Sequence, residues 1–167
     1  WNGPWCDYNE HSLHLYYQWL NEGHKLVATA GTDIHGHMPD DVTNAGFNIV
    51  YADDLTEVDI LDAVRHGRSY LSSGPDLKAI AFSGGNRAMF GETLHATDPV
   101  KLTVLWMSVD AGDTVQLIAD GKIFETIDAS TTNRMTWTFD ESAAWYVAEI
   151  RAKDGMLRAV TNPIFVD

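Results

Sequence analysis

A single cysteine, Cys6, stands among the 167 residues, which excludes an intrachain disulfide and any zinc site made of several thiolates. Basic side chains are also scarce: 11 Lys and Arg face 24 Asp and Glu, a formal net charge of -13. Such a surface repels phosphate backbones and anionic bilayers, so nucleic-acid binding is excluded as a function class, although a bound cation reverses the sign locally. No apolar run approaches the roughly 20 residues needed to span a bilayer, and no cationic leader precedes an apolar stretch. The opening WNGPWCDYNEH reads as the interior of a longer protein, so an upstream part is expected to be missing, and the lack of a leader carries no information on export. What the chain does hold is apolar material. Hydrophobic residues make up 45% and aromatic ones 11%, enough to core one ordinary domain or two small ones.

The patterning changes near Gly74-Pro75, which divides the chain into residues 1–75 and 76–167. In the first part Leu13, Tyr16, Tyr17 and Leu20 fall at i, i+3, i+4 and i+7, one apolar face of a helix. Asp7 and Glu10 suggest a variant capping box at its start, and Gly23 its stop. Residues 26–30 read as a short buried strand and residues 47–52 as another. A second helix is expected to follow Leu55, capped by Thr56 with Asp59 answering, stapled by Leu55 on Ile60 and ended by Gly67. Residues 69–72 close an α-β-β-α-β order, the tail of an α/β layer or barrel.

Beyond residue 76 only strand and turn signals occur. Met135, Trp137 and Phe139 alternate with polar neighbours, and Tyr146, Ala148 and Ile150 alternate with Val147, Glu149 and Arg151, the period of strands with two unlike faces. Asp120-Gly121 and Asp154-Gly155 predict tight hairpins with positive φ at both central positions. With residues 77–82 and 100–109 this gives about six or seven strands, the number expected of an immunoglobulin-like sandwich, though without the Cys and Trp pattern of antibody domains.

The chemistry concentrates in GTDIHG, residues 31–36. Asp33 and His35 stand two apart on a loop after an apolar run, so an extended backbone can offer an oxygen and a nitrogen donor to zinc, manganese or iron. The same pair also reads as a turn-capping aspartate beside an exposed histidine. His37 extends the pattern to His-x-His as a further ligand or a pocket residue. Asn2 sits in a loop whose aromatic residues could wall a pocket, or in a plain Asn-Gly-Pro turn. Arg68 could reach a phosphate or carboxylate if its strand ends near the metal, or be a solvated cation after a helix. His11 and His14 at i and i+3, and the isolated His24, His66 and His95, read as surface residues. Ser72 and Ser73 lack a nucleophile-elbow setting, and the GGN at residues 84–86 is a turn with no phosphate-loop spacing.

WNGPW, the helix ending in WLNEGHK, VATAGTDIHGH, NIVYADDLT, ILDAVRHG and RSYLSSGPDL follow one another in an order that resembles the C-terminal part of PHP-domain (polymerase and histidinol phosphatase) metallohydrolases, in the CehA/McbA-like branch of carbaryl hydrolases. The resemblance spans residues 1–77. It implies the end of a distorted (β/α)7 barrel followed by an appended all-β sandwich, and a site of two or three divalent metal ions in which Asp33 and His35 are ligands. The family's opening His-x-His motif and its middle ligands are not in the chain, so the resemblance also implies a missing N-terminal part of the barrel as partner. The implied reaction is hydrolysis by metal-activated water of a small-molecule phosphoester, carbamate or ester. A second reading makes residues 76–167 a non-enzymatic sandwich that binds a glycan or a partner domain, for which coplanar exposed rings at Trp106, Trp137 and Trp145 would be required.

Overall fold

The computed structural model describes residues 1–35 and 45–167. Among them are helix α1 (Asp7–Asn21) and strand β1 (Phe47–Val50), then helix α2 (Glu57–Arg65), strand β2 (Ser69–Ser72) and strand β3 (Asp76–Ser83). The remaining strands are β4 (Asn86–Met89), β5 (Thr93–Leu94), β6 (Val100–Met107), β7 (Thr114–Ala119), β8 (Lys122–Asp128), β9 (Arg134–Phe139), β10 (Trp145–Arg151), β11 (Leu157–Thr161) and β12 (Ile164–Val166). No helix among the described residues is long and apolar enough to cross a membrane.

Two largely antiparallel sheets pack as a β-sandwich. One has the order β4-β3-β6-β9; the other runs β1-β2-β11-β10-β12-β5, with β7 on the opposite edge of β10 and β8 outside β7. Alternate residues of both sheets meet in a core that includes Leu77, Phe90, Leu102, Trp106, Leu117, Tyr146 and Ile150. The sheet crosses Gly74-Pro75: Ser72, Leu71 and Tyr70 of β2 pair with Ala159, Val160 and Thr161 of β11, and Tyr70 lies in the sandwich core. On the other side β2 pairs antiparallel with β1, the strand that precedes α2.

Helix α1 makes a third layer. Leu13, Tyr17 and Leu20 pack with Trp5 onto Leu71, Ile118, Trp145, Val147 and Val160 of the larger sheet. Strand β10 is therefore covered on both faces, and the alternation expected to separate a buried from an open face instead separates two buried ones. Glu149 falls on the α1 side at 1% exposure. The Tyr17 hydroxyl donates to its Oε1 at 2.6 Å, and Arg151 Nε donates to Oε2 at 2.6 Å. Arg151 then forks onto both Glu10 oxygens at 2.9 and 3.0 Å, and the Trp5 indole donates to Glu10 Oε2 at 3.1 Å. This explains why the capping box at Asp7 and Glu10 does not form: the N-cap is Cys6, which makes no side-chain cap bond, and Glu10 faces Arg151.

The cap of α2 forms as expected, with the Thr56 hydroxyl accepting from the Asp59 N–H at 3.2 Å. The staple does not, because Leu55 is 91% exposed. Asp120 and Gly121 adopt φ of 47° and 76°, the tight turn predicted for β7–β8. In the β10–β11 connection only Gly155 is left-handed; Ala152 N–H reaches across to the Met156 carbonyl, so the loop is longer than the expected two residues. Strands β4, β5 and β12 were not foreseen, being two to four residues long with no alternation to mark them.

Residues 26–30 are the largest departure. They run extended but form no strand, and Leu26 and Val27 are more than a third exposed. Among the described residues no β-ladder continues along them. Side-chain amides take its place: Asn162 accepts from Ala28 N–H at 2.8 Å and donates to Ala28 O at 3.2 Å, and Asn48 does the same to Ala30 at 2.9 and 2.6 Å.

Candidate functional site

The amide-held segment leads into residues 31–35, and the opening loop meets it from the other side. Gly31 N–H donates to the Trp1 carbonyl at 2.9 Å, Gly3 N–H donates to the Gly31 carbonyl at 2.9 Å, and the Trp1 amino group donates to Thr29 O at 3.0 Å. The loop itself is fixed from α1. Buried Asn9 accepts from Asn2 N–H at 2.9 Å and donates to the carbonyls of Asn2 and Pro4 at 3.0 and 3.1 Å. Asn9, Asn48 and Asn162 thus position the site. None stands in a recognisable motif; the only signal in the sequence is a polar amide within an otherwise apolar run.

Asp33 has φ of +55°, a left-handed backbone that a non-glycine residue adopts at a cost of about 1–3 kcal/mol. Its Cβ lies 3.7 Å from the point where a Cβ on Gly3 would stand, which places Asp33 against the opening loop. Asp33 Oδ1 and His35 Nε2 are 3.1 Å apart, on side chains 52% and 89% exposed. The two groups are hydrogen-bonded to each other. Donors bound at about 2.0–2.2 Å to one tetrahedral ion stand roughly 3.3–3.6 Å apart, so the pair would open by a few tenths of an ångström to take two corners of such a shell. Among the described residues no group of three or more His, Cys, Asp or Glu is gathered that could hold a metal ion.

The other expected residues are placed as follows. Asn2 is exposed and bridges to Gly31 through its main chain, beside the Asp33 loop. Trp1 and Trp5 stack edge to face at 4.9 Å and line a cavity of about 170 Å³, but neither Asp33 nor His35 lines it. His37 lies outside the described residues. Arg68 Nη2 donates to Asp62 Oδ2 at 2.8 Å and Nη1 lies 3.8 Å from Asp53 Oδ2, while its buried Nε has no partner among the described residues. Among the described residues Arg68 makes no hydrogen bond or ion pair with Asp33 or His35. Ser72 is buried, donating to Pro75 O at 2.5 Å and accepting from Gly74 N–H, a purely local arrangement. Of the remaining surface histidines, His14, His24, His66 and His95 lie near single carboxylates (Glu10, Glu22, Asp62 and Asp167), while His11 is exposed and makes no such pair among the described residues. The chain matches no protein-family model, no curated protein and no solved structure.

Proposed function

We propose that the chain is the C-terminal part of a PHP-type metal-dependent hydrolase, in which Asp33 and His35 provide two ligands of a site completed by upstream residues. The observation that carries this reading is the 3.1 Å approach of an accessible carboxylate oxygen and imidazole nitrogen on a backbone held in a costly left-handed turn. In the proposal residues 1–75 carry the last elements of a distorted (β/α)7 barrel, with β1 and β2 joined to the sheet of the sandwich that follows, and the sandwich is immunoglobulin-like in its two packed antiparallel sheets.

A divalent metal, when bound, supplies Lewis acidity and an activated water at neutral pH. The chain's own part is positioning. Asp33 offers an oxygen donor, His35 offers Nε2 on the same side, and the opening loop, braced by Asn9, fixes the approach of Gly3 to Asp33. With two donors alone the chain is expected to bind metal weakly and to hydrolyse nothing. Phosphoester, carbamate and carboxylic ester substrates all suit the proposed chemistry.

The test is metal content and hydrolysis of a nitrophenyl phosphodiester and a nitrophenyl ester by the protein with its upstream residues restored. Bound zinc, manganese or iron, lost with Asp33→Asn or His35→Ala, is the expected result; no bound metal and no metal-dependent hydrolysis would overturn the proposal. The tryptophan platform of the non-enzymatic reading has no support, since Trp106, Trp137 and Trp145 are 1%, 6% and 1% exposed.

A further inference from the structure

A cavity of about 310 Å³ opens where the smaller sheet meets the β1–β2 side of the larger one, away from Asp33 and His35. Its walls combine two tyrosine rings with polar groups from two further stretches of chain and apolar side chains from β6. Tyr51, just after β1, and Tyr70 on β2 have ring centroids 6.5 Å apart, and Phe90 braces Tyr51 edge to face at 5.3 Å. Asp76 and Lys78 lie two residues apart on β3, Met107 ends β6, and Asn133 precedes β9.

The polar groups here are only partly used by the fold. Asp76 accepts from the Tyr70 hydroxyl at 3.1 Å and from the Ser108 hydroxyl at 3.4 Å. Lys78 lines the same cavity as Asp76, yet among the described residues it makes no ion pair; its ammonium lies over the Tyr51 ring, 5.5 Å from the centroid, so a ring that stacks on that face takes the ammonium's place. The Tyr51 hydroxyl and the Asn133 side-chain amide also have no hydrogen-bond partner among the described residues. Burial, and then the charge of Asp76, push the Tyr51 phenol above its ordinary pKa.

An aromatic wall with a few convergent polar groups is the usual make-up of a small-ligand pocket. The charges of Asp76 and Lys78 cancel, which disfavours an anion or a cation. Acceptor (Asp76), donors (Lys78, Tyr51) and an amide that does both (Asn133) match a ligand whose groups both donate and accept, while a ring face needs an apolar ligand face. A sugar ring has both. We infer that this cavity binds a neutral saccharide, stacked on Tyr51 and hydrogen-bonded by Asp76, Lys78 and Asn133. This site is independent of the proposed metal ligands and uses none of the buried tryptophans as a platform.

The inference is tested by titrating the isotopically labelled chain with methyl glucoside, maltose, cellobiose and N-acetylglucosamine, with free alanine as a zwitterionic control. The expected result is saturable amide shifts confined to Tyr51, Lys78, Met107 and Asn133 with at least one sugar, weakened about tenfold or more in Tyr51→Ala. Lys78→Met and Asn133→Ala, both at the rim, are expected to weaken binding while leaving the fold intact, and they decide the matter if Tyr51→Ala does not fold. No shifts with any sugar, unchanged affinity in the rim variants, or stronger shifts with alanine than with sugars would each overturn it.

Discussion

The hydroxyl of Tyr17 on α1 donates to Glu149 on β10 at 2.6 Å, across the interface between the helix and the sheet. Glu149 is almost fully buried, and among the described residues its carboxylate is held by Tyr17 and Arg151, and Arg151 in turn by Glu10 and the Gly155 carbonyl. Removing one member of such a set leaves a charge without its partner. Tyr17→Phe is expected to cost about 1–3 kcal/mol and Arg151→Met about 3–5 kcal/mol, read by urea denaturation. A double variant, Arg151→Met with Glu149→Gln, should recover part of that loss. Additive losses would show that the groups act separately.

The same network gives the fold an acid limit, and Tyr70 gives it an alkaline one. Burial raises the Glu10 pKa, but the hydrogen bonds and charge of Arg151 and the Trp5 indole outweigh it, so the folded value lies below the ordinary 4.5. Its contribution is thus present above pH 4.5 and is lost as pH falls through the folded value. For Tyr70, burial and then the charge and hydrogen bond of Asp76 push the phenol from 10.0 to about 12. That contribution is complete below pH 10.0 and is lost as pH rises toward 12. Melting temperature against pH should fall at both ends, with Glu10→Gln flattening the acid side and Tyr70→Phe the alkaline side.

Asn162 and Asn48 stand in for a neighbouring strand, and their loss should release the segment they hold. Asn162→Ala is expected to cost about 2–3 kcal/mol, because Asn162 is fully buried and also donates to Ser69. Asn48→Ala, at a more exposed position, should cost less. Hydrogen exchange at Ala28 should speed up in the first variant and at Ala30 in the second, with the β10 amides unaffected by Asn48→Ala. Equal protection in wild type and variants would mean that the amides merely accompany the segment.

Two glycines of similar backbone separate conformational strain from steric conflict. Gly91 (φ +86°) approaches Gly67 so closely that a Cβ would lie 2.3 Å from the His66 carbonyl oxygen, whereas at Gly155 (φ +89°) nothing lies within 4 Å. Gly155→Ala should cost about 1–2 kcal/mol, the left-handed penalty alone. Gly91→Ala should exceed about 4 kcal/mol and lower the yield of folded protein. Similar losses at both would mean that the Gly67–Gly91 contact opens easily.

These contrasts also mark where sequence reasoning succeeds and where it stops. Thr56 with Asp59, and Asp120 with Gly121, act within a few residues of chain, so their patterns and their structures agree. Burial is a property of what lies on top. Residues 26–30 have the composition of a core strand yet lie open, and β10 looks two-faced yet is closed on both sides because α1, more than a hundred residues away in sequence, covers it. At the candidate site, Asp33 and His35 stand two residues apart, so their approach is local and legible in the spacing. The bracing by Asn9, Asn48 and Asn162 could not be read, since an amide that imitates a backbone is indistinguishable in sequence from any other asparagine.

The bond between Ala28 and Asn162 spans 134 residues. During synthesis from the N-terminus, residues 26–35 therefore emerge long before the side chain that secures them exists. The anchoring of Ala28 by Asn162 is completed only after β11 has been made, whereas the contacts of Gly31 with Trp1 and Gly3 are available from the start.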